Sequence, residues 1–116
     1  MKHLFLLYVD ESALPAPGTP ESEKALAGYG AFYEEVSGRG LFQAGDPVQP
    51  AATATTVSVR NGKTETRQGP SRPDGEQIIG FYVLDTADEA DAIQLAAKIP
   101  AAEQGRVEVR PILVLS

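Results

Sequence analysis

The stretch Gln77-Ile-Ile-Gly-Phe-Tyr-Val-Leu-Asp-Thr-Ala-Asp-Glu-Ala-Asp-Ala-Ile-Gln-Leu-Ala-Ala-Lys-Ile-Pro100 changes its period half-way along. Residues 77–84 read as a strand apolar on both faces, with Ile79, Phe81 and Val83 against Ile78, Tyr82 and Leu84. Thr86-Ala-Asp-Glu89 then reads as a capping box, in which the Thr hydroxyl accepts from the Glu amide and the Glu carboxylate reaches back. Asp88, Glu89 and Asp91 stand where a helix dipole favours negative charge. The pattern predicts a helix to about Ile99, stopped by Pro100 and rich in alanine for close packing on a sheet. A strand running straight into a helix is one β–α unit, and the fold depends on whether the chain holds another.

It does. Residues 3–9 are apolar apart from His3, which suits a central strand covered on both faces. The prolines and glycine of residues 12–19 predict a loop. Thr19-Pro20 reads as an N-cap and first-turn proline, with Glu21 and Glu23 on the positive end of the dipole. The helix should continue to about Ser37, its apolar stripe being Ala25/Leu26, Tyr29, Phe32/Tyr33 and Val36, with Gly38 or Gly40 to end it. Residues 45–51 read as a loop. Residues 53–60 alternate Thr55, Val57 and Val59 onto one face, and Asn61-Gly62 is a strong hairpin signal that returns a strand through 63–67. The last element, residues 106–115, reads as a strand with Pro111 at an edge or bulge.

The resulting order is β-α-β-β-β-α-β. With one hairpin strand set aside as an extra, it leaves βαββαβ, a ferredoxin-like α+β fold with an antiparallel sheet and two helices on one face. The opposite sheet face then lacks a cover, and a second copy of the chain is the common remedy, so a homodimer is predicted.

With 116 residues the chain is long enough for one core and too short for two, so a single domain over 1–116 is expected. A net charge of −6 argues against nucleic acid as a partner. Arg60, Lys63, Arg67 and Arg72 are the only basic concentration, read either as solvated positions or as an anion site. The chain has no cysteine, which excludes disulfides, thiolate nucleophiles and Cys-based zinc sites and fits a reducing cytoplasm. The apolar run 4–9 is short and ends at Asp10-Glu11, so it reads as a strand rather than a signal peptide. No run approaches the ~20 apolar residues of a membrane span.

The opening Met1–Glu11, the segment Ala27–Val36, Thr53–Val59 and the long run Gly69–Ile112 resemble the YCII-related family, and more narrowly its DGPF branch. The most specific pieces are Ala96-Ala97-Lys98-Ile99-Pro100 and Gly105-Arg-Val-Glu-Val-Arg-Pro111. The resemblance implies a ferredoxin-like fold that dimerises in the manner of the dimeric α/β barrel proteins. Some relatives are enzymes, one of them dehydrochlorinase-like, with a His-Asp pair proposed as active site. Relatives in the DGPF branch are associated with extracytoplasmic-function sigma factors. The chain departs from the branch motif at telling places. Gln68 stands at the motif Asp and Ser71 at the Phe, Pro73 and Gly75 fall at a Glu and a Lys, while Gly69, Pro70 and Gly80 are retained.

His3 is the sole histidine, so no family-style His near the first helix exists, and a His-based metal site lacks a second ligand. It reads as a packing or strand-end residue without an evident orienting partner. Asp10 is either a solvated strand end or a carboxylate in the cleft between sheet and helix, tuned by burial into a general base. Tyr8, Tyr29, Phe32, Tyr33 and Tyr82 form either one aromatic-walled pocket or simply the core. Arg110 either pairs with a carboxylate such as Asp10 or Glu108, or anchors an anionic ligand. Gly69-Pro70 lacks the spacing of a phosphate cradle, no cofactor motif is present, and no Ser-His-Asp order can be built. Two readings follow. One is a dimeric small-molecule-binding domain with lyase- or hydrolase-like activity, its catalytic candidate Asp10 and its ligand candidates Tyr8, Tyr29, Gln68, Ser71 and Arg110. The other is a non-catalytic dimeric interaction module, linked to sigma-factor regulation. No spacing in the chain dictates a reaction.

Overall fold

In the computed structural model, which describes residues 1–115, strand β1 (Lys2–Val9) alternates strictly between two environments. His3, Phe5, Leu7 and Val9 are buried, whereas Leu4, Leu6 and Tyr8 are only half-buried. The strand is central, as its apolar run predicts, but one chain covers only one of its faces. Helix α1 (Pro20–Gly38) supplies Phe32 and Val36 to the covered side. Helix α2 (Glu89–Ala96) adds Ala92, Leu95 and Ala96. Together with Leu84 and Ile99 they close the core on Phe5, Leu7 and Val9. Each of the largest buried side chains contributes about 1.5–3 kcal/mol through burial.

The main sheet contains β2 (Phe42–Pro47), β5 (Gln77–Asp85), β1 and β6 (Arg106–Pro111), in the order β2-β5-β1-β6. All neighbours are antiparallel. This is the ferredoxin-like arrangement, with β1-α1-β2 and β5-α2-β6 as its two split units. The sequence reading is corrected in one respect. Its second core strand is β2, which begins before the Gly45–Ala51 segment read as loop and includes part of it. The hairpin strands β3 (Thr55–Arg60) and β4 (Lys63–Gln68) both lie outside the main sheet, as a two-stranded sheet of their own. Asn61 and Gly62 adopt φ of 51° and 76°, the turn geometry that the dipeptide predicts.

Thr19 caps α1 by accepting from the Ser22 amide at 3.2 Å. The cap of α2 differs from the Thr86 box. Asp88 is the N-cap and accepts from the Asp91 amide at 2.8 Å. The Asp91 carboxylate reaches back to the Ala87 amide at 3.1 Å. Thr86 is unavailable because its hydroxyl donates to the Met1 carbonyl at 3.0 Å and lies 2.7 Å from His3 Nδ1. His3 therefore has a partner after all, and both side chains are buried. Beyond Ala96 the amides of Lys98 and Ile99 bond three residues back, a tighter turn that leads into Pro100. A four-residue helix, α3 (Ala101–Gln104), then delivers the chain to Gly105. Strand β6 stops at Pro111 rather than near Leu115; one further backbone bond, from the Ile112 amide to the Lys2 carbonyl at 2.9 Å, reaches the first residue of β1.

Candidate functional site

Tyr8 ends the open face of β1, and its surroundings are assembled by close backbone approach. A Cβ on Gly105 would strike the Tyr8 carbonyl and sit 3.0 Å from Val9 Cα, so only glycine lets β6 begin alongside β1 here. The register then sets Arg106 opposite Tyr8. Gly75, at φ 83°, turns the preceding loop so that Glu76 meets Arg106, with Arg106 Nε donating to Glu76 Oε1 at 2.9 Å.

Two hollows meet at Tyr8. The first, of about 670 Å³, is apolar and runs under the root of the hairpin past Val48, Pro50, Thr56, Ser71 and Ile78. The second, of about 840 Å³, is charged and holds Asp10, Glu76, Arg106 and Glu108. Tyr8, Arg72 and Glu76 line both, which makes them two lobes of one groove. Glu76 pairs with Arg106, and Glu108 with Arg110. Arg72 makes no ion pair among the described residues.

Asp10 lies in the charged lobe but is solvent-exposed. Its carboxylate accepts from the Ser12 hydroxyl at 2.7 Å and the Ser12 amide at 3.0 Å. These bonds, the hydroxyl first, hold its pKa below the ordinary value against a small opposing desolvation. Of the two readings of Asp10, its exposure and lowered pKa match the solvated strand end and not the buried carboxylate tuned upward.

The aromatic residues divide between the two faces of the sheet. Tyr29, Tyr33, Phe42 and Tyr82 line a separate cleft of about 490 Å³ between α1 and the β2–β5 edge. Phe32 belongs to the core, its ring centroid 5.1 Å from that of Tyr82. The Tyr29 hydroxyl is buried without a hydrogen-bond partner. Burial, and next the neighbouring Tyr82, push its pKa up to about 12. The Ala101 backbone opposes this weakly, lying nearby but outside hydrogen-bonding geometry.

Of the residues singled out from the sequence, Tyr8, Asp10 and Ser71 are brought together around the groove. Tyr29 lines the other cleft. Gln68 is exposed and donates to the Ala52 carbonyl at 2.8 Å, bracing the loop. Arg110 pairs with Glu108 and stands opposite Leu4, four residues or ~13 Å along the strand from Arg106. Sequence reasoning named Arg72 only within a possible anion site shared with Arg60, Lys63 and Arg67, and overlooked Glu76 and Arg106. Alternation already put Arg106, Glu108 and Arg110 on one face, and only the β1–β6 register chooses among them. The Gly69 amide is committed to the Ala54 carbonyl at 2.7 Å, so the Gly-Pro turn closes the hairpin root rather than cradling an anion.

Among the described residues no three His, Asp or Glu side chains gather as metal ligands. Among the same residues no helix is long and apolar enough to cross a membrane. The fold and its groove define a class, an α+β ferredoxin-like domain with a ligand-sized hollow at one end of a half-bare sheet. The sequence model of the YCII-related domain matches residues 1–116, and the chain belongs to that family. It is also similar to an uncharacterized protein of Rhizobium meliloti (strain 1021), 29% identical over 114 residues that cover 97% of this chain and 92% of the relative.

Proposed function

We propose that the protein is a homodimeric binding domain for a small organic acid, with the Tyr8 groove as its site. The observation that carries this reading is Arg72. It lines both lobes and pairs with no carboxylate among the described residues, beside Tyr8 and an apolar hollow that would take the body of a ligand. A guanidinium without a partner favours a carboxylate or similar anion. The groove walls fall on the DGPF-type loop, where Ser71 and Gly75 replace bulkier or charged groups, so the loop keeps a turn and gains room. The Asp10 and Glu76 carboxylates at the charged end would favour an acid that also bears a cationic or hydroxyl group. The exposed, acidified Asp10 supports binding ahead of general-base chemistry.

The homodimer reading rests on the half-bare sheet face of Leu4, Leu6, Phe81 and Val83. It also rests on the accessible surface of one chain, 7834 Å² against about 6,100 Å² for a monomer of this mass.

Thermal-shift titration with a panel of aromatic and aliphatic amino and hydroxy acids tests the site. A binder should raise the melting temperature of the wild type, and Arg72→Ala should abolish that rise without changing the melting temperature of the ligand-free protein. A panel that leaves the wild type unmoved, or a binder that ignores Arg72→Ala, would overturn the assignment.

A further inference from the structure

The β3–β4 hairpin is an arm without a core. Its strands pair only with each other, and an isolated two-stranded ribbon is marginal in water. The arm is nevertheless two-sided. Thr55, Val57 and Val59 of β3, with their cross-strand neighbours Thr66 and Thr64, form one uncharged face. Arg60, Lys63, Glu65 and Arg67 form the other. Val57 and Val59 are each 59% exposed. Nothing among the described residues of its own chain covers that uncharged face.

We infer that the arm docks on a second copy of this chain, each protomer's arm embracing its partner, an inference that rests on the homodimer reading above. Three observations choose this occupant. The first is shape. The chain measures 47 × 46 × 18 Å with a radius of gyration of 16.0 Å, against ~13 Å for a compact domain of its length. The second is area. The surplus surface is ~1,700 Å² per chain, so two chains together reach the range of a permanent homodimer interface rather than that of a transient contact. The third is charge. Arg60, Lys63 and Arg67 against Glu65 give the arm a net +2, on a chain whose total is −6. These basic side chains stand on the face away from Val57 and Val59, so they draw the arm toward the acidic body of its own copy rather than pairing inside the interface. Docking also bears on the groove, because Thr55 and Thr56 at the arm root line its apolar lobe. An arm held by the partner holds that wall in place.

Sedimentation equilibrium on the double variant Val57→Lys/Val59→Lys tests this. In a free arm both positions are solvated and the change is silent. In a docked arm two ammonium groups enter the interface, and dimer affinity should fall by about ten-fold or more. Val57→Thr/Val59→Thr, which keeps β-propensity and neutrality, should stay dimeric. A second variant replaces residues 55–68 with a two-residue turn. The root tolerates it because Gly69 N and Ala54 O are already bonded, and it should dissociate in the same way. A dimeric wild type with unaffected lysine and excision variants would overturn the arm inference and leave the homodimer standing. A monomeric wild type would overturn both.

Discussion

At the scale of single residues, polar groups carry more information here than apolar ones. His3 is sealed in the core and tolerable there only because Thr86 supplies a hydrogen bond at 2.7 Å. Tyr29 shows the opposite case, a hydroxyl buried without a partner. Such an orphan costs about 1–3 kcal/mol, so Tyr29→Phe should leave stability unchanged or raise it by about 1 kcal/mol in urea unfolding. The same group has a pH signature. Its folded pKa, about 12, lies above the ordinary 10.0, so the folded state keeps a proton that the unfolded state releases. Its contribution is complete below pH 10 and is lost as pH rises toward 12. Tyr29→Phe should therefore lose less stability than the wild type across that window. An equal loss in both proteins would show that the hydroxyl is solvated.

Elements follow local signals until tertiary contacts compete for the same side chain. The N-terminus of α2 reads in sequence as a Thr86–Glu89 capping box, with Asp88 and Asp91 only as charges on the helix dipole. The fold takes Thr86 for His3 and leaves the cap to Asp88, two residues later. Asp88→Ala should consequently cost about 0.5–2 kcal/mol in chemical denaturation, whereas Glu89→Ala should change little. The reverse ranking would restore the Thr86 box. The strand β2 escaped sequence reading for a different reason. Its sequence Phe42-Gln-Ala-Gly-Asp-Pro47 carries Gly and Pro, weak strand formers, and most of it is exposed at a sheet edge. It is a strand because β5 offers a bare edge that Leu41 and its successors can join, beginning with Asp85 N donating to Leu41 O at 2.8 Å. Gly45 belongs there because a Cβ would stand 2.7 Å from the Tyr82 ring.

On the scale of the whole molecule, one layer of helices covers one face of the sheet and leaves the other half-bare. Leu6 sits in the middle of that bare face, half-buried between Phe81 and Glu108. In a monomer Leu6→Lys is mild, since the lysine stem can lie on the surface with its charge in water. In a dimer closed through this face, the same change buries a charge at the interface. The wild type should sediment at twice 12.3 kDa, and Leu6→Lys at one chain's mass with a near-normal melting temperature. A wild type at one chain's mass would refute closure through the sheet.

By itself the sequence determined the two β–α units, the hairpin with its Asn61-Gly62 turn, the cap of α1 and the apolar composition of both sheet faces. Each of these follows from neighbours within a few residues, where periodicity, turn chemistry and capping act. Tertiary structure alone decided that β2 joins the sheet while β3 and β4 leave it. It also decided that Thr86 serves His3, and that Arg106 rather than Arg110 stands beside Tyr8. These outcomes depend on register and on competition for hydrogen-bond partners between segments far apart in the chain. The groove belongs to this second group. Its residues come from the end of β1, the loop before β5 and the start of β6, which approach one another only because Gly105 lets the backbones touch.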